Sequence, residues 1–263
     1  MHPVSIAAEK VFTLFGYLPV TNALLTTWLV MAVLIVVAFF ATRHMRKIPR
    51  GLQNGLEAVM EGFLGLIEGV TGDRKRAREF FGYAFTIFLF ILFSNWMGLI
   101  PGVGSIGFFE TAKEVAKEGA EVAAEGGHAE GGFFPLFRAG SSDLSFTIAL
   151  ALSTIIYVQY IGFKHLHLGY LKKYLNFSGP IQFFVGLLEI ISEFAKIVSF
   201  SFRLFGNIFA GEVLLVVMTF LAPFIVPIPF YGLEIFVGFV QALVFMMLTL
   251  VFLNGATVSH DEH

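Results

Sequence analysis

Residues 179–254 are apolar almost throughout, broken by the proline-rich PFIVPIP at 223–229. A helix crossing a bilayer needs ~20 apolar residues, so this run is too long for one pass. Its prolines divide it into two long helices joined by a turn. In hydrocarbon every backbone N–H and C=O must be satisfied internally, which a continuous apolar run of this length does as helices. The whole sequence agrees: 57% of its 263 residues are hydrophobic and only 14% are charged. It therefore reads as an all-α polytopic membrane protein forming a single membrane domain. A formal net charge of -2 gives no ground for nucleic-acid binding, and the absence of cysteine excludes disulfides and thiol chemistry. The N-terminus lacks a basic stretch ahead of its first apolar run, so that run reads as a retained helix.

Three further spans are expected at 23–42, 80–101 and 143–163, giving five passes with the hairpin 179–222 and 229–255. An amphipathic helix is expected at 51–70, where Leu52, Leu56, Val59, Phe63, Leu66 and Ile67 recur at helical spacing. Glu57, Glu61 and Glu68 interrupt it, which suits a helix lying in the interface. Arg43, Arg46, Lys47, Arg50, Arg74, Lys75, Arg76 and Arg78 follow the first span, and Lys164, Lys172 and Lys173 the third. The other side has only Lys10, Lys113, Lys117 and Arg138. Eleven against four places 43–79 and 164–178 in the cytoplasm. Segment 1–22 and the loop 102–142 then lie outside, and the tail 256–263 lies inside. The outer loop is expected to be partly helical within 111–125. There is no internal repeat.

Arg203 sits near the middle of the 179–222 helix. It cannot shed its charge, and a cation at the bilayer centre costs ~3 kcal/mol by insertion scales and ~10 or more by simulation. It is too far from either end to snorkel. Glu189, Lys196 and Arg203 are seven apart, which makes one face drifting ~20° per step. Asn207 joins that face, with Gly206, Ala210 and Gly211 keeping it shallow. Glu212 falls on the opposite side of the helix. Glu234 and Gln241 are again seven apart in the last helix. Because the two helices run antiparallel, Glu212 and Glu234 meet at similar depth if Gln241 is level with Arg203. Glu189 lies ~21 Å the other way. Acids toward each face with one cation between them form the pattern.

Each of these has a plainer reading. Glu189, Glu193 and Lys196 also fit interfacial residues reaching water, and Asn207 and Gln241 also fit interhelical hydrogen bonding. Glu212 and Glu234 also fit a buried pair sharing one proton, although ionisable groups inside a membrane more often mark an ion path. His165 and His167 suit headgroup contact, while His260 and His263 are expected to be solvated.

RLFGNIFAGE, at residues 203–212, resembles subunit a of the F-type ATP synthases, and the resemblance extends over nearly the whole chain. SNWMGLIPG at 94–102, SSDLSFTIALAL at 141–152 and QALVFMMLTLVFL at 241–253 resemble further family segments. The resemblance implies that Arg203 is the essential channel arginine, with Asn207 and Gln241 beside it at mid-membrane and Gln241 paired with it. It implies an outer proton path through Glu212, Glu234 and Asp143, and a cytoplasmic one through Glu189, Lys196 and Ser199. At Glu234 some relatives carry histidine, so this outer path would have two carboxylates and no imidazole. The resemblance assigns no role to Glu193. The implied partners are the rotating c-ring, peripheral-stalk b subunits and the lipid bilayer, in a bacterial inner membrane. Protons are the implied ion, with Na⁺ the alternative. No cofactor or metal is expected. No GxxxxGK[ST] loop is present, so ATP chemistry would belong to other subunits. Rival readings are a self-contained secondary transporter, which should show inverted repeats and broken helices, and a purely structural anchor.

Overall fold

The computed structural model describes residues 10–14, 18–43, 52–100, 106–109, 133–135, 138–167, 169–174, 179–222 and 225–257. The expected helical stretch in 111–125, and His260 and His263, lie outside these. Among the described residues there are seven α-helices: α1 Asn22–Thr42, α2 Leu52–Thr71, α3 Arg74–Met97, α4 Leu144–Leu166, α5 Gly169–Tyr174, α6 Pro180–Leu221 and α7 Pro227–Thr257. Five of them, all but α2 and α5, are long and apolar enough to cross a membrane. Two short antiparallel ribbons accompany them, β1 Lys10–Leu14 with β2 Leu18–Thr21, and β3 Gly107–Phe109 with β4 Phe133–Pro135.

Local chemistry sets the helix ends. Thr21 caps α1 by accepting from the Leu24 N–H at 3.3 Å, and Pro180 opens α6, where a missing N–H costs nothing. Between α2 and α3 the chain reverses at Gly72, whose φ of 69° is one that L side chains avoid. Asp73 then caps α3 by accepting from the Lys75 N–H at 3.0 Å. That cap explains why α3 starts at Arg74, earlier than the expected 80. The basic cluster 74–78, expected within the segment 43–79, forms its first turns.

α7 is the central element, packed against α2, α3, α4 and α6. Phe80, Ile91, Leu204, Phe245, Met246 and Leu250 fill the core between them. α1 touches chiefly α3 and the short 3-10 turn Gly140–Ser142, and leaves Ile35 and Phe40 exposed as lipid-facing residues would be. Glu79 at the start of α3 accepts from Lys164 at the end of α4 at 2.8 Å. Those two ends, with the basic cluster, therefore share one side of the bundle. The 42 residues of α6 span ~63 Å, about twice the ~30 Å apolar thickness of a bilayer. A helix that long is accommodated by tilting, by bending or by extending past the slab.

Candidate functional site

The site is built on the antiparallel α6–α7 pair. Its register is visible in four contacts. Phe200 meets Phe245 with ring centroids 4.5 Å apart, and the Lys196 Nζ lies 4.8 Å from the centre of the Phe252 ring. Asn207 Nδ2 donates to Gln241 Oε1 at 3.3 Å, and Gly211 backs directly onto the Glu234 carboxyl. Gln241 is thus level with Asn207, one turn beyond Arg203. The expected pairing of Gln241 with Arg203 is absent: Gln241 accepts from Asn207, and its own Nε2 is buried without a hydrogen-bond partner.

Arg203 is exposed, and the exposed Phe202 and Val198 lie about 100° and 140° round the helix from it. Its Nη2 donates to Ser199 Oγ at 3.3 Å, and it makes no ion pair with any described carboxylate. A side chain added at Gly206, one turn away, would meet nothing within 4 Å. Among the described residues no helix covers this face.

A cavity lies to each side of Arg203 along α6. The one toward the α6 C-terminus, about 200 Å³, is lined by Asn95, Arg138, Ile208, Glu212, Tyr231 and Glu234 among others. Glu212 and Glu234, 22 positions apart in sequence, are brought together here. Glu234 is 5% exposed, and any Cβ on Gly211 would occupy the space its carboxyl needs. Glu212 forms a bidentate ion pair with Arg138, whose Nε lies 3.0 and 3.2 Å from the two carboxylate oxygens and whose Nη2 lies 3.1 Å from Oε2. Arg138, read from sequence only as an outer-loop basic residue, is 8% exposed. Nothing local in the sequence pairs residues 138 and 212; the fold alone does so.

The second cavity, about 250 Å³, is lined by Ser192, Lys196, Ser199, Arg203 and Phe252 among others. Behind it Lys196 bonds Glu193 at 2.7 Å, and the same Glu193 oxygen is 3.2 Å from the Tyr174 hydroxyl. Tyr174 and Tyr170 both reach Gln159 Oε1, at 3.1 and 2.8 Å. Burial, and then the Tyr170 contact, push the Tyr174 phenol far above its usual range, so it remains a donor. Glu193 is thus part of an interior polar cluster that the sequence did not reveal, because Gln159, Tyr170 and Tyr174 come from α4 and α5. Glu189 sits half-buried on the same end of α6.

Other expected residues fall elsewhere. Asp143 caps α4, accepting from the Ser145 N–H at 2.9 Å, and does not line the cavity that holds Glu212 and Glu234. His165 approaches Glu79, with Nε2 3.4 Å from Oε2, so its ring is engaged within the protein. Asn95 and Trp96 were expected only as part of a family segment. They bind α3 to α7 by donating to the Gly238 and Ile235 carbonyls at 3.2 and 3.1 Å.

Five long apolar helices with charged side chains gathered along their last hairpin define an integral membrane protein with an ionisable interior. The family model described as ATP synthase A chain matches residues 24–254. The chain is 34% identical to the ATP synthase subunit a of Campylobacter jejuni subsp. jejuni over 238 residues, 89% of each chain. Identity to the subunit a of Helicobacter hepaticus is 33% over 261 residues, 97% of this chain and 99% of that one. Identity to that of Campylobacter fetus subsp. fetus is 36% over 245 residues, 92% of each. The chain belongs to the ATP synthase A chain family.

Proposed function

We propose that this chain is the stationary ion-channel subunit of a rotary ATP synthase. The observation that carries the reading is Arg203, an exposed cation on α6 that lines one cavity and has a second cavity, holding Glu212 and Glu234, on its other side along the helix. A ring of small hairpin subunits, each with a membrane carboxylate, docks on the open face of α6 beside Gly206. A neutral carboxylic acid can travel past lipid, whereas an ionised one is too costly to expose. Opposite Arg203 the cation favours the charged form, and the ring's proton leaves. Because arginine does not release a proton, it also blocks direct passage between the two cavities.

The cavity with Glu212 and Glu234 is the outer half-channel. The cavity with Lys196 and Ser199 is the cytoplasmic one, continued toward Glu189. Protons enter through the first, ride the ring, and leave through the second after nearly a full rotation. Each elementary charge supplies ~2.3 kcal/mol per 100 mV. Asn207 and Gln241 close the wall between α6 and α7 next to Arg203, and Asp143 serves by fixing the outer end of α4. ATP chemistry takes place on other subunits, and the b subunits of the peripheral stalk hold the chain still. The ring's own binding site sets the choice of H⁺ over Na⁺. The excess of basic residues on the 43–79 and 164–178 segments, and relatives from bacteria, support a bacterial inner membrane with the N-terminus outside and the C-terminus inside.

Arg203→Ala is the test. It should abolish ATP-driven proton uptake into inverted membrane vesicles while the complex still assembles. Retained coupled uptake would refute the reading.

A further inference from the structure

The two carboxyls of the outer cavity have different surroundings. Glu212 is held through both oxygens by Arg138. Arg138 is itself anchored, because its backbone N–H donates to Thr26 Oγ1 of α1 at 3.1 Å. Glu234 has no hydrogen bond and no ion pair with any described residue, and Gly211 leaves its carboxyl room. The charged or titratable groups lining the same cavity are Glu212 from α6, Arg138 from the chain before α4, and Tyr231 from α7; α3 contributes only the uncharged Asn95.

A proton on Glu212 would break the bidentate pair and strand a buried cation that has no proton of its own to lose. A proton on Glu234 breaks no described bond. Resting on the channel reading above, we infer that Arg138 is a positioning residue that holds Glu212 as a fixed carboxylate, so that Glu234 alone carries the proton across the outer cavity. The pair is neutral as a unit, and its partners are 74 residues apart in sequence. Losing either one leaves a net charge beside Glu234, whereas losing both does not.

The experiment uses the assembled synthase in inverted vesicles and reads proton flux driven by acid pulses in the lumen, as a function of lumen pH. Arg138→Gln and Glu212→Gln should each lower flux, and the double variant should conduct roughly tenfold more than either, a coupling normal for groups in contact. The pH profile should move to higher pH in Arg138→Gln, where an anion is left, and to lower pH in Glu212→Gln, where a cation is left. It should return in the double variant. Arg138→Lys should keep the profile in place, and Glu234→Gln should abolish flux in every background. A double variant no better than Glu212→Gln, or normal flux in Glu234→Gln, would overturn the inference. If Arg138→Gln fails to accumulate in the membrane, the profiles of Glu212→Gln and Arg138→Lys decide. A shift only in the former supports the inference; any other combination rejects it. Coupled flux in Arg203→Ala would instead sink the channel reading itself, so the two failures are separable.

Discussion

At the scale of single residues, the difference between Arg203 and any other cation lies in proton chemistry. A lysine at 203 would keep a positive charge on the same open face, but a desolvated ammonium can give up its proton. Arg203→Lys should therefore raise passive proton leak through vesicles stripped of the water-soluble ATPase, measured as decay of an imposed pH gradient. A leak no faster than wild type would remove the sealing role. Arg203 could be recognised in the sequence because its cost in hydrocarbon is so large. Arg138 could not. An arginine in a loop rich in glycine and glutamate looks solvated until the fold carries it against Glu212. The Asn207–Gln241 bond was readable as interhelical contact, but not its partner choice, which depends on a one-turn difference in how α6 and α7 meet.

At the scale of elements, α6 presents Gly211 where α7 presents Glu234, next to the cavity that Glu212 and Glu234 line. A side chain at 211 would collide with the Glu234 carboxyl, so Gly211→Val should displace Glu234 or push the helices apart. ATP-driven acidification should fall severely, with the chain still present in the membrane. Gly55→Ala is the control, since that position faces open space. Its α2 should tolerate the change, with activity near wild type. Equal loss in both variants would show general fragility instead of a specific close approach. Trp96 and Asn95 fasten α3 to α7 near the same cavity. Trp96→Phe removes one bond to a backbone carbonyl and should lower the complex's thermal stability by ~0.5–1.5 kcal/mol, without altering the pH dependence of flux. The existence of the long helices was plain from hydropathy alone. Their ends moved where caps decided them, as Asp73 did for α3. The short ribbons β1–β2 and β3–β4 have too few residues to leave a periodic signature.

At the scale of the whole molecule, the arrangement is an exposed cation on α6 with a cavity lined by it and another beyond it, carried by a helix about twice as long as a bilayer's apolar core is thick. On the proposed reading another body covers this face of α6 during operation. The chain contains no cysteine, so single ones can be introduced without background. Gly206 is the natural place, because a new side chain there points into open space one turn from Arg203. A cysteine at 206 should form a disulfide with a cysteine placed beside the ring's membrane carboxylate, and the bond should stop proton flux until it is reduced. A cysteine at 204, where Leu204 is buried inside the bundle, should not react. Ring cross-linking at 204 with none at 206 would contradict the account.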